Sequence, residues 1–255
     1  MSTTQAYGER SSTADRDEIA RFSALAKSWW DPNGPMAPLH ELNPARLAYI
    51  RDRIAGHFDR NPKGSAALKG LTVLDIGCAG GLLCEPLTRL GAKLTGIDAA
   101  EENIEVAKRH AGDMRLAIDY RHAAPEDLIG GGETFDVVLA LEVVEHVTDV
   151  QAFLDAAAAL VKPGGILIAS TLNRTPKSFA LAIVGAEYLL RWVPAGTHDW
   201  RKFLKPSELA QSLRGAGLTV TDLTGLTYDA VHKTWQQGRD VGVNYIVTTI
   251  KPDVD

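Results

Sequence analysis

The sequence predicts an α/β chain built on a mostly parallel sheet, and three observations carry that reading. Short apolar runs bounded by turn residues alternate with helical patterns from about residue 71 to residue 173. The first of these runs, "VLDIGCAGG", ends in a glycine-rich turn. Near the C-terminus the alternation gives way to two strand-like runs without an intervening helix, expected as an antiparallel pair at one sheet edge.

Taken in order, residues 1–14 are polar and are expected to be disordered. From Asp15 a helical period places Ile19, Phe22, Leu25, Ala26 and Trp29 on one face. "DPNGPMAP" interrupts it, and "NPARLAYI" opens a second helix with Asn43 as N-cap and Pro44 at its first position. Strands are expected in "LTVLDIG", "KLTGID", "RLAIDYRHA", "TFDVVLALE" and "GILIASTLN". Helices are expected over Leu82–Leu90, "ENIEVAKRHA" and "DVQAFLDAAAALV", with Asp149 a credible N-cap. After Asn173 about thirty residues break the alternation, long for a connection. "KPSELAQSLRGAG" resumes as a helix, followed by strands in "LTVTDLTGL" and "VNYIVTTI". The expected organisation is one domain over 15–255, with an N-terminal helical lid over 15–60 and an insertion over 173–205.

Composition excludes several classes. A net charge of −5 argues against nucleic acid as partner. Cys78 and Cys84 are the only cysteines and lack zinc spacing, so a reducing compartment is expected. The polar start does not resemble a secretory signal, and no apolar stretch is long enough to span a bilayer.

The glycine turn points to a nucleoside-bearing cofactor at the carboxyl end of the sheet. Asp98 closes the second strand 21 residues after Gly77, where an acid accepts both hydroxyl protons of a ribose. A nicotinamide dinucleotide or S-adenosylmethionine satisfies that much. Asp75 separates them: a carboxylate two residues before the first glycine repels a pyrophosphate and suits an ammonium and a sulfonium. The spacing G-x-x-G-G also misses the dinucleotide pattern.

These residues resemble the class I S-adenosylmethionine-dependent methyltransferases. "SALAKSWWDPNGPMAPLHELNPARLAYI", "LEVVEHV", "STLNRTPKSFALAIVGAEYLLRWVPAGTHDWRKF" and "DVGVNYIVTT" resemble, more narrowly, the ubiquinone-biosynthesis O-methyltransferase family, over Asp17–Ile250. The resemblance implies methyl transfer to catechol-type hydroxyls of polyprenylated rings, in both O-methylation steps. It implies a site on the cytoplasmic face of the membrane beside other enzymes of that pathway. It also implies cofactor contacts at Arg46, Gly77, Asp98 and Leu141. Without it, Arg46 reads as a surface helix residue and Leu141 as plain core. Ala79 stands where the family has glycine. A different class I methyltransferase, such as a C-methyl enzyme, is the alternative, as is a catalytically silent cofactor-binding subunit.

Glu142, Glu145 and His146 have i, i+3, i+4 spacing, so in a helical turn they share one face. The resemblance assigns these positions to a divalent metal. Magnesium suits the oxygens, while the imidazole tilts the site toward manganese, cobalt or zinc. A bound metal lowers the pKa of a phenol from about 10. His146 as a direct base, or an ordinary polar turn, remains open. Between Arg174 and Lys205 six basic residues face two acidic ones, a local +4 that leaves −9 elsewhere. With "SFALAIVGAEYLL" and nearby tryptophans, that balance suits the headgroup boundary of an anionic membrane.

Overall fold

A computed structural model of the chain describes residues 13–181, 199–229 and 231–253. Eight strands form one sheet: β1 (Thr72–Ile76), β2 (Lys93–Asp98), β3 (Asp119–His122), β4 (Phe135–Leu141), β5 (Val161–Leu172), β6 (Thr219–Asp229), β7 (Thr234–Gly238) and β8 (Asn244–Ile250). Their spatial order is β3-β2-β1-β4-β5-β8-β6-β7. β1 to β5 pair in parallel, and β8, β6 and β7 are antiparallel.

The apolar runs are continuous because both sheet faces are covered. Successive residues of β4 and β5 go to opposite sides. Val137, Leu139, Ile166 and Ile168 join one core; Val138, Ala140, Leu167 and Ala169 join the other. The first core is closed by α2 (Ala37–His57), α3 (Cys84–Arg89) and α4 (Glu101–Asp113) through Ile50, Ile54, Leu87 and Ile104. The second is closed by α5 (Pro125–Ile129), α6 (Val150–Ala159) and α7 (Pro206–Gly215) through Leu128, Phe153, Leu209 and Leu213. Asp149 caps α6 by accepting from the Ala152 amide.

Several expectations change. Asn43 is not an N-cap. α2 starts six residues earlier at Ala37, and Pro44 lies inside it. The Asn43 amide instead donates to the Leu82 carbonyl at 2.9 Å, docking the helix beside the glycine turn. The C-terminal strands are three, not two. β8 inserts between β5 and β6, and β7 forms the edge. β7 is "TWQQG", mostly exposed and polar, so it has no alternation to read. The polar start ends sooner than expected. Thr13 is buried, and its amide and hydroxyl donate to Glu126 Oε1 at 3.3 and 2.6 Å. Residues 1–12, and residues 182–198 of the excursion, lie outside the described residues.

The helix α1 (Arg16–Leu25), capped by Asp15, runs into a 3₁₀ turn at Ala26–Ser28. Beyond it Trp29 and Trp30 clamp the glycine turn. Trp29 Nε1 donates to Asn103 Oδ1 at 2.8 Å, and Trp30 Nε1 donates to the Gly80 carbonyl at 2.9 Å. Gly80 has no room for a side chain, since a Cβ there would lie 2.4 Å from Trp29 Cβ.

α2 is fastened to the sheet at its far end. The buried Tyr49 hydroxyl donates to Asp222 Oδ2 at 2.7 Å and lies 2.8 Å from Thr248 Oγ1. Tyr49→Phe removes that hydroxyl while keeping the ring. It is expected to cost about 1–2 kcal/mol in urea unfolding, because Asp222 and Thr248 lose a buried partner. An unchanged midpoint would show that the hydroxyl does not hold the helix.

Candidate active site

The carboxyl ends of β1, β2, β4 and β5 open into a cavity of about 940 Å³, roofed by α1 and α2. One end is built by the glycine turn. Gly77 takes φ +70°, and a Cβ there would meet Val143 Cγ2 at 2.6 Å, so only glycine fits without strain. Ala79 also sits in the left-handed region, at φ 50°. That conformation costs an alanine about 1–2 kcal/mol, and it directs the Ala79 amide to Asp98 Oδ2 at 2.9 Å. Asp98 Oδ1 accepts from the Ala100 amide at 2.8 Å and from Asn103 Nδ2 at 3.2 Å. Asp98 is thus rigidly aimed, and burial raises its pKa in spite of these bonds.

Asp75 is 3% exposed and lines the same cavity. Burial pushes its carboxyl up to about 7, with the Cys84 thiol donating to it at 3.3 Å and Asp98 adding repulsion. Leu141 closes β4 against the cavity. Arg46 is buried on α2, not on the surface. Its Nη2 lies 3.0 Å from Glu142 Oε1, and its Nε and Nη2 make no well-formed hydrogen bond. A buried guanidinium with open donors, facing a cavity, suits a carboxylate.

The other end holds Glu142, Glu145 and His146. They do not share a helical face, as the spacing had implied. Glu142 takes φ 55° at the strand end, and residues 144–146 form a single 3₁₀ turn. Glu142 Oε1 accepts from Ser170 Oγ at 2.7 Å and Asn244 Nδ2 at 3.1 Å. Burial opposes its ionisation, but Arg46 and these hydrogen bonds hold its pKa below the ordinary value. Glu145 is buried in the cavity wall and accepts from Thr171 Oγ1 at 2.8 Å. Burial and the neighbouring Glu142 push it up to about 7. His146 Nδ1 lies 3.2 Å from Glu18 Oε2 on α1, and Phe22 meets the imidazole edge-on. Burial lowers the His146 pKa, but Glu18, Glu145 and Glu142 outweigh it and the net shift is upward.

Two carboxylates and an imidazole are suitable donor types for a divalent cation. As arranged here they do not fit one. Each is engaged with a different partner, and among the described residues no three His, Cys, Asp or Glu side chains converge as ligands.

The sequence reading missed part of the wall. Asp15, Glu18 and Phe22 recur at i, i+3, i+7 and line the cavity from α1. Phe22 belongs to the apolar face that the helical period marks, whereas Asp15 and Glu18 are polar neighbours that the period leaves unassigned. Tyr228 on β6 pairs in register with Trp235 on β7, their rings 5.6 Å apart, and both reach the cavity. No local pattern marks that pair, because it forms only when the hairpin closes.

A parallel sheet with a glycine turn, acids at the first two strand ends and a roofed cavity defines a class I methyltransferase dependent on S-adenosylmethionine. Comparison with known proteins agrees. A family profile described as a methyltransferase domain matches residues 39–223. A ubiquinone biosynthesis O-methyltransferase from Mesorhizobium japonicum is 53% identical over 245 residues, covering 96% of this chain and 98% of that protein. One from Methylobacterium nodulans is 54% identical over 238 residues, covering 93% and 96%. The solved structure of a Synechocystis magnesium protoporphyrin IX methyltransferase with bound SAH shares the fold at TM-score 0.61. It is 19% identical and covers 92% of this chain and 97% of that one. The chain belongs to the ubiquinone biosynthesis O-methyltransferase family. It is an S-adenosylmethionine-dependent O-methyltransferase.

Proposed function

We propose that the chain transfers a methyl group from S-adenosylmethionine to a catechol-type hydroxyl of a polyprenylated ring, serving both O-methylation steps of the pathway. The observation that carries this reading is a single cavity with acids and glycines at one end and His146 at the other. Asp98 holds the ribose hydroxyls with the acceptor capacity left on its two oxygens. Arg46 takes the methionine carboxylate, Asp75 faces the ammonium, Gly77 lets the backbone approach, and Leu141 packs on the adenine. His146 accepts the phenolic proton at its free nitrogen. S-adenosylmethionine, when bound, would supply the methyl group to the phenolate oxygen, its sulfonium leaving as the neutral thioether.

Asp75 gives the donor site a pH dependence. Its carboxyl titrates at about 7 in the free protein, against an ordinary 3.8, because it is buried. A cationic cofactor binds the ionised form, so below that value a proton competes with it. S-adenosylmethionine affinity is expected to fall as pH drops from 8 to 6, by up to about tenfold per unit. Calorimetry is expected to show proton release on binding. A flat affinity over that range would separate Asp75 from the ammonium.

One observation favours a second reading, with a divalent cation in the acceptor end. Glu142 and Glu145 are buried neighbours that repel one another, and a cation relieves such repulsion. It requires Glu142 to leave Arg46 and His146 to leave Glu18, so no step is routed through it here. An assay on a short-tailed catechol separates the readings. With His146 as direct base, turnover persists after exhaustive chelation, and His146→Ala lowers kcat about 100-fold or more with donor affinity unchanged. Turnover lost on chelation and restored by magnesium would favour the cation. No methylation by the wild-type chain would point to another acceptor or a silent subunit.

A lipid-tailed acceptor calls for a membrane-facing surface. Among the described residues no helix is long and apolar enough to cross a membrane. Phe179 and Leu181 are exposed at 46% and 54%, where the excursion leaves the described chain. The +4 counted from the sequence acts as a weaker local field. Arg174 pairs with Glu208, Lys177 with Asp240, Arg201 with Asp199, and Lys202 with Asp15. The reading is peripheral attachment to the cytoplasmic face of the membrane, apolar in its main part and assisted by charge, and beside other enzymes of the pathway. Co-sedimentation with anionic vesicles is expected, reduced by salt and by the double change Phe179→Ser and Leu181→Ser. Equal recovery of wild type and variant, or none with any vesicle, would assign the segment to the substrate cavity alone.

A further inference from the structure

We propose that Asn103 and Trp29 are positioning residues for the cofactor: the indole fixes the orientation of the Asn103 amide, and the amide in turn aims Asp98 at the ribose, so that donor affinity depends on the docked N-terminal segment. The proposal rests on the reading of Asp98 as the ribose ligand. Trp29 Nε1 donates to Asn103 Oδ1 at 2.8 Å, and Asn103 Nδ2 donates to Asp98 Oδ1 at 3.2 Å. Trp29 and Asn103 are 5% and 1% exposed, so water offers neither a substitute partner. An indole nitrogen can only donate, and an ionised carboxylate can only accept. The amide between them therefore has one satisfactory orientation, oxygen to the indole and nitrogen to the carboxylate. Turned over, it would set N–H against N–H and oxygen against oxygen.

The indole is itself held in place. It packs with Ala26 and Met36 in a small apolar cluster, and His40 Nε2 on α2 lies 2.9 Å from the Trp29 carbonyl. On its other side the Trp29 Cβ fills the space that a side chain on Gly80 would need. α1 also docks on the first turn of α4, where Asn103 sits, through Ser23 Oγ donating to Glu102 Oε2 at 2.7 Å. Asp98 depends on such donors. Burial opposes its ionisation, and besides Asn103 its carboxylate accepts from the Ala79 and Ala100 amides. Those two amides belong to the sheet's own loops, whereas the Asn103 amide takes its orientation from the lid. Trp29, Asn103 and Asp98 all line the cavity, so the relay ends where the cofactor would lie. The sequence separates Trp29 from Asn103 by 74 positions, so no local motif reports the contact.

Calorimetry on the full chain tests this with two ligands, S-adenosylhomocysteine and its 2′,3′-dideoxyribose analogue, which lacks the hydroxyls that Asp98 would hold. Asn103→Ala is expected to raise the Kd for S-adenosylhomocysteine about 10-fold and to leave that for the analogue little changed. Trp29→Phe keeps an aromatic ring and removes the donor. It is expected to cost about 3- to 5-fold, again only with the hydroxylated ligand. The double variant is expected to bind no worse than Asn103→Ala alone, because Trp29 acts through the amide. The KM for S-adenosylmethionine is expected to rise in step, with kcat close to wild type. Should Asn103→Ala unfold, Trp29→Phe with the same two ligands carries the comparison. Equal losses for both ligands, wild-type affinity in the variants, or additive losses in the double variant would overturn the proposal. Asp98→Ala is the reference and is expected to bind the two ligands alike. If it still prefers the hydroxylated ligand as strongly as wild type does, the ribose reading itself fails, and the positioning role with it.

Discussion

The arrangement of the site depends on one buried contact, the Arg46 guanidinium against the Glu142 carboxylate. It joins the roof helix α2 to the tip of the central strand β4, the two walls between which any ligand must pass. Neither partner is free to leave alone. Removing one member of a buried ion pair strands the other at a cost of about 3–5 kcal/mol. Ser170 and Asn244 add hydrogen bonds to the same carboxylate oxygen, so adjacent β5 and β8 are tied to that point too. Glu142 reaches this position only by adopting a left-handed backbone, strain that the surrounding contacts must offset. With Glu142 fixed, Glu145 is forced inward toward Thr171, and the turn that follows presents His146 to α1.

The parallel half of the fold was legible because apolar burial on both faces writes itself as continuous runs. β1, β2 and β4 fall within a residue or two of where those runs lie. Asp75, Gly77 and Asp98 lie where those runs put them, at the carboxyl ends of β1 and β2, and line the cavity there. What failed was local grammar overridden by packing. Asn-Pro is a strong helix-start signal, yet at Asn43 the side chain is drawn to the Leu82 carbonyl and the helix runs through Pro44. The i, i+3, i+4 spacing of Glu142, Glu145 and His146 gives a shared face only in a helical turn, and a loop was the open alternative. A 3₁₀ turn with a left-handed residue before it sends the three side chains apart. Glu18, Tyr228 and Trp235 enter the cavity from elements remote in sequence, and periodicity says nothing about which remote element a polar face will meet.

The two tryptophans illustrate how lid and cofactor turn become one unit. Trp30 stacks on His110 at 3.4 Å, and that imidazole in turn meets the buried Glu85 at 2.5 Å. Trp29 reaches Asn103, which also donates to Asp98. The N-terminal segment therefore touches Asp98 through one intermediary and His146 through Glu18. A displacement of that segment would be felt at both ends of the cavity, because close-packed interiors have low compressibility and transmit strain.

The charge distribution suits the reaction more than it suits either reactant. Asp75, Asp98, Glu142 and Glu145 line a cavity whose buried cation among them is Arg46, an imbalance that favours a sulfonium and an ammonium. Methyl transfer from a sulfonium to a phenolate destroys both charges, so its transition state is less polar than the separated ions. A wet site would stabilise those ions and raise the barrier. Here Phe22, Leu141, Leu172, Leu226 and Val243 are among the apolar side chains that line the cavity. The acids are thus spread over both ends of the cavity, Asp75 and Asp98 beside the glycine turn and Glu142 and Glu145 at the tip of β4, with apolar side chains among them.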